Sequence, residues 1–109
     1  MATEKTTTRA KSSERYVIVR TYAMGVFAGT LDKSSTETVK ILRGARRIWY
    51  WAGAATLSEL AQRGTSKPRE CKFPAAVDRV ELTSPQGFEV LDVTNAARMT
   101  IERVPEWTA

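Results

Sequence analysis

The ten residues from Ala45 to Ala54, Ala-Arg-Arg-Ile-Trp-Tyr-Trp-Ala-Gly-Ala, constrain what this chain can fold into more than any other stretch. They hold two of its three tryptophans, a pair of arginines, and a glycine where one hydrophobic period gives way to another. Aromatic and β-branched residues at this density favour a strand. With a period of two, Arg47, Trp49 and Trp51 fall on one face and Arg46, Ile48 and Tyr50 on the other. A face of Arg, Trp and Trp suits a flat or anionic ligand, because guanidinium stacks on indole and Trp offers a large rigid contact. The same alternation also describes two core tryptophans with their arginines solvated or paired at the rim. The readings separate the two arginines. If the tryptophans form a recognition face, Arg47 binds the ligand and Arg46 is structural. If they enter the core, Arg47 is carried to an edge and Arg46 points outward with Tyr50.

Upstream, Tyr16 to Tyr22 reads as a strand, Ala23-Met24-Gly25 as a hairpin turn or bulge, and Val26 to Leu31 as a second strand. A turn over 32–37 leads to a third strand, Thr38 to Arg43, and Gly44 separates it from the central stretch. The expectation is a four-stranded antiparallel meander ending at Trp51. Downstream, Thr56-Leu57-Ser58-Glu59 has the spacing of a capping box, Leu57, Leu60 and Ala61 form a helical stripe, and Gly64 stands where a helix ends. This predicts a short helix over about 56–63. Thr65 to Pro74 reads as an exposed basic loop, Val77 to Leu82 and Phe88 to Leu91 as two more strands, and Ser84-Pro85-Gln86-Gly87 as the turn between them. A last helix runs from Thr94 or Asn95 to about Arg103, with Ala97, Ile101 and Val104 inward. The fold class is therefore α+β, an antiparallel sheet of five to six strands with two short helices. It is preceded by a basic tail, residues 1–15, too polar to offset the entropy of ordering. Residues 16–109 form a single domain.

Composition narrows the chemistry. The 109 residues include no histidine and one cysteine, Cys71. This excludes histidine acid/base catalysis, the usual Ser-His and Cys-His pairs, nearly all zinc sites and an internal disulfide. No acid/base pair of carboxylates has a meaningful spacing, so no enzymatic activity, metal or cofactor is expected. No apolar run approaches membrane-helix length, and the expected setting is the cytoplasm. The net charge of +5 is uneven. Residues 16–72 carry ten basic and four acidic groups, whereas residues 73–109 carry three basic and six acidic. Such polarity points to an anionic partner or to contact between copies of the chain.

Several sequence words resemble a family of small proteins, uncharacterised in function, encoded by tailed phages and prophages. They are Val19-Arg20-Thr21-Tyr22 with Gly25-Val26, the Arg46-Arg47-Ile48-Trp49-Tyr50-Trp51 core with Gly53-Ala54, Ser66-Lys67-Pro68, Cys71-Lys72-Phe73-Pro74, and Val104-Pro105-Glu106-Trp107. The likeness covers nearly everything after Tyr16. Where the family usually has Tyr-Ser-Ala-Gly, this chain has Tyr22-Ala23-Met24-Gly25, so no hydroxyl role carries over there. The resemblance implies a phage setting and brings no catalytic residues.

Three functions fit. The first is a non-enzymatic, counter-defence-type protein that captures an anionic, nucleotide-type ligand through Arg20, Arg46, Arg47, Trp49 and Trp51, as a homo-oligomer in the cytoplasm of the bacterial host. The second is a virion component, a capsid decoration or head-to-tail joining protein, contacting other capsid proteins through its basic arm. The third is a nucleic-acid binder using the basic stretch 40–72, although no DNA- or RNA-binding signature accompanies it.

Overall fold

The structure, a computed structural model, describes residues 14–109. The arm proposed for residues 1–15 lies outside the described residues except at its end. There the Arg15 carbonyl accepts from Leu31 N and its guanidinium pairs with Asp92.

Among the described residues five strands are formed: β1 (Tyr16–Thr21), β2 (Val26–Leu31), β3 (Val39–Arg47), β4 (Val77–Thr83) and β5 (Phe88–Asp92). In the same residues the helices α1 (Leu57–Arg63) and α2 (Asn95–Arg103) accompany them, with a 3-10 turn at Pro68–Glu70. All neighbouring strands are antiparallel, in the order β4-β3-β2-β1-β5. The protein is α+β.

That order places β4 and β5 at opposite edges, yet only the turn Ser84–Gly87 separates them, closed by a bond from Gly87 N to Ser84 O. A flat sheet cannot bring its two edges that close. The sheet therefore curls, and its concave face becomes an interior. Val17, Val19, Phe27, Leu42, Ala45 and Leu82 fill it, with Val80 of β4 and Phe88 and Val90 of β5 closing it from the two edges. The convex face carries Tyr16, Ile18, Ala28 and Ile48 against Leu57, Leu60, Ala61, Phe73, Ile101 and Val104. Both faces are apolar, so the strands carry near-continuous buried runs such as Tyr16–Val19 instead of clean alternation.

The helix ends follow the sequence signals. Thr56 Oγ1 accepts from Glu59 N at 3.1 Å, while Glu59 returns to Ala55 N at 2.6 Å, one residue before the position a strict capping box uses. Thr94 caps α2 through Ala97 N and also donates to Gln62 O at the end of α1, which fastens the two helices together.

Candidate functional site

The central stretch is not a separate strand. Between Ala28 and Thr30 of β2 the facing strand advances from Arg46 to Arg43, one residue more than β2 does. Gly44, at φ +56°, is that extra residue, and a bulge of this kind suits a glycine because it alone takes the left-handed region at no steric cost. Strand β3 thus continues through Gly44 and ends at Arg47. This corrects the expected fourth strand ending at Trp51. An extra residue also reverses the facing of everything after it. Ala45 joins Leu42 in the concave interior, Arg46 turns to the convex, helix-covered face, and Arg47 shares the side of Phe27.

Arg46 is buried, 7% exposed, with its guanidinium among backbone carbonyls. Nε donates to Pro74 O at 3.0 Å, Nη1 to Ile101 O and Val104 O at 3.0 and 2.9 Å, and Nη2 to Phe73 O and Pro105 O at 2.7 and 3.4 Å. Two of these carbonyls lie at the C-terminal end of α2, where the helix presents unpaired acceptors and partial negative charge. Burial lowers the pKa of Arg46, opposed by the nearby Tyr16 and Glu106. Arg46 ties β3 to the 73–74 and 101–105 segments, and no donor remains for a ligand.

The other expected ligand residues do not converge. Arg20 is on the surface of β1, paired with Glu89 of β5 at 3.0 Å. Arg47 stacks over Phe27, 4.3 Å from the ring centre, and donates to Met24 O. Trp51 packs half-buried against the convex core, its indole N–H bonded to Ala54 O at 3.1 Å. Of the two tryptophans only Trp49 is open, at 63% exposure. Strand alternation groups Arg47, Trp49 and Trp51 on one face, but the strand ends at Arg47.

A different set assembles beside Trp49. Lys72 O accepts from both Trp49 N and Tyr50 N, and Lys72 N donates to Tyr50 O at 2.7 Å. Phe73 pairs in parallel with Glu106, and Trp107 N donates to Phe73 O at 3.0 Å. This short ladder brings together chain segments 49–50, 72–73 and 106–107, anchored below by the fully buried Phe73. On it the Lys72 ammonium stands 5.9 Å from the centre of the Tyr50 ring and 5.7 Å from that of Trp107. Tyr50 is 52% exposed and Trp107 half-buried. Arg46 holds the ladder's underside through Phe73 O, Pro74 O and Pro105 O. Three of the words on which the family resemblance rests, around residues 46–51, 71–74 and 104–107, therefore meet in space. Tyr50, Lys72 and Trp107 are not among the ligand residues expected from the sequence. The signal for Lys72 and Trp107 was present in the two short Pro-flanked motifs, but nothing local showed that they join the central stretch.

Arg15 and Arg20 pair with Asp92 and Glu89, so β1–β5 contact absorbs part of the polarity between the two halves of the sequence. Arg43, Arg79 and Arg98 also pair with carboxylates. Among the described residues Arg63, Lys67, Arg69 and Lys72 have no carboxylate partner, and neither do Lys33, Lys40, Arg46, Arg47 and Arg103 elsewhere in the chain. Lys67 precedes and Arg69 lies within the 3-10 turn leading to Lys72. Exposed aromatic faces beside unpaired cations favour planar or anionic groups.

Next to this surface Gly53, at φ +84°, lies against the 65–67 backbone, where a Cβ would meet Lys67 N at 2.6 Å. Cys71 is buried beneath, its thiol 3.5 Å from Ala52 O and 3.6 Å from Lys67 O.

Fold and surface together define a small α+β protein whose curled sheet carries an exposed aromatic and cationic platform. The chain belongs to the family described as Domain of unknown function (DUF6948), whose model matches residues 14–101. Comparison with curated proteins and with solved structures finds no match. Among the described residues no helix is long and apolar enough to cross a membrane.

Proposed function

We propose that this protein is a non-catalytic binding protein that captures an anionic, ring-bearing ligand of nucleotide type on the platform of Trp49, Tyr50, Lys72 and Trp107. The observation that carries the reading is the Lys72 ammonium within 6 Å of two aromatic rings, at a junction of three distant segments. A ring stacks on Tyr50 or Trp49, and its phosphate meets Lys72 with Lys67 and Arg69 beside it. Capture needs no proton transfer, which agrees with a chain lacking histidine. Action in the cytoplasm of a bacterial host, as an oligomer and against a nucleotide signal, belongs to the same proposal. The alternative of a virion component rests on the basic arm, whose residues 1–13 lie outside the described residues.

Titration with adenosine diphosphate, followed by tryptophan fluorescence, tests the reading. Stacking on an aromatic residue contributes about 1–3 kcal/mol per base, and a charge-assisted phosphate contact about 1.5–3 kcal/mol. Lys72→Ala and Tyr50→Ala are each expected to weaken binding about tenfold, with the fold unchanged by circular dichroism. Absence of nucleotide binding, or affinity indifferent to both substitutions, refutes the platform.

A further inference from the structure

A second feature stands apart from the platform. The turn between β2 and β3, the Gly44 bulge and one side of α2 enclose an open cleft of about 850 Å³. Its cationic lining is Arg15, Lys33, Arg43 and Arg98, against the carboxylates Glu14 and Asp32. The three arginines are held alike. Each guanidinium is tethered through Nε to a carboxylate: Arg15 to Asp92 at 2.8 Å, Arg43 to Asp32 at 3.0 Å, and Arg98 to Glu102 at 2.9 Å. Arg98 also bonds Glu14 through Nη1 and lies 4.4 Å above the centre of the Tyr16 ring.

These tethers leave both Nη groups of Arg15 and Arg43, and Nη2 of Arg98, without a hydrogen-bond partner among the described residues. A carboxylate on Nε holds a guanidinium in place while leaving its terminal amino groups able to grip a second oxyanion. Ordering these side chains in advance reduces the entropy lost on binding. Asp32 is itself fixed, taking bonds from the Ser34 amide and hydroxyl as well as from Arg43, and these hold its carboxyl well below the usual range. A Cβ on Gly44 would stand in open space, so the bulge leaves the cleft wall bare. A smaller cavity of about 310 Å³ adjoins, sharing Thr30, Arg43, Gly44 and Arg98 and lined also by Arg46, Glu102 and Glu106; there the Arg46 donors are already taken by backbone carbonyls.

We infer that this cleft binds a small polyanion bearing two or more phosphate groups, gripped by Arg15, Arg43 and Arg98 and assisted by Lys33. The Tyr16 ring is already covered by Arg98, so the cleft reads phosphate groups and not an attached base. The inference is independent of the platform.

The test is isothermal titration of the full chain with inorganic tripolyphosphate, which has no ring to stack, at about 0.1 M salt. One-site binding is expected, weakened about tenfold or more by Arg43→Ala and by Arg98→Ala, and several-fold by the fully surface change Lys33→Gln. Lys72→Ala should leave it unaltered. Arg98 covers Tyr16 and its loss could disturb the fold, so Arg43→Ala and Lys33→Gln decide the matter, with Tm measured alongside. No binding by the natural chain overturns the inference. So does binding that survives Arg43→Ala and Lys33→Gln, or that is lost in Lys72→Ala.

Discussion

Replacing Arg46 with alanine tests the central structural claim, that one arginine of the pair holds the fold while its neighbour does not. Arg46 donates to five carbonyls, and its bonds to Ile101 O, Val104 O and Phe73 O are buried. Leaving a buried acceptor unsatisfied costs about 1–3 kcal/mol. Two of the three keep another donor, Val104 N on Ile101 O and Trp107 N on Phe73 O, which offsets part of the loss. Loss of the packed aliphatic stem adds to it. Arg46→Ala is therefore expected to destabilise by about 2–4 kcal/mol, a large fraction of the roughly 5–10 kcal/mol that holds a domain of this size. The corresponding fall in Tm is roughly 10–20 °C. Arg46→Lys keeps the charge but places three donors at one point, and should recover only part of the difference. Arg47→Ala, which removes one bond at the surface and a stack on Phe27, should cost about 1 kcal/mol or less. The assay is chemical denaturation of the three variants, with platform order read from Trp49 and Trp107 fluorescence. If Arg46→Ala costs no more than Arg47→Ala, the clamp is wrongly assigned.

Further outcomes follow from single positions. Gly53→Ala sets a Cβ against Thr65 Oγ1 and Lys67 N at a φ of +84°, and should lower stability by about 2 kcal/mol or more; a Tm within a degree or two of the natural chain contradicts that packing. Burial, reinforced by Glu102, pushes the Tyr16 hydroxyl up to about 12. Because the folded state favours the neutral phenol, its contribution is full below pH 10 and is lost as pH rises from 10 to 12. Denaturation midpoints should fall over that window by about 2–3 kcal/mol of stability, and Tyr16→Phe should flatten the profile. The Cys71 thiol, buried beside Ala52 and Thr65, should resist alkylation until the chain unfolds, and Cys71→Ser should cost under about 2 kcal/mol; rapid labelling of the native protein would show it accessible.

Local chemistry determined much of the architecture. The Thr-x-x-Glu signal placed α1, Thr94 placed the start of α2, and apolar, β-rich runs between turn residues placed four of the five strands within a residue or two. These features depend on neighbours within a turn of helix or a few residues of strand, so sequence carries them directly. What tertiary structure alone decided begins at Gly44. The residue was visible as an interruption, but whether a glycine ends a strand or bulges it depends on the register of the strand opposite. That choice reversed the facing of Arg46 and Arg47, burying the first among carbonyls and leaving the second outside. Separately, β3 ends at Arg47, before the tryptophans, which dissolves the expected Arg-Trp-Trp face. Lys72 and Trp107 join Tyr50 across 22 and 57 residues of chain, and the ladder that unites them is made of backbone bonds to which no side-chain pattern points. The sheet's curl has the same origin. The sequence marks a short turn between β4 and β5, but only their placement at opposite edges makes that turn close the sheet upon itself.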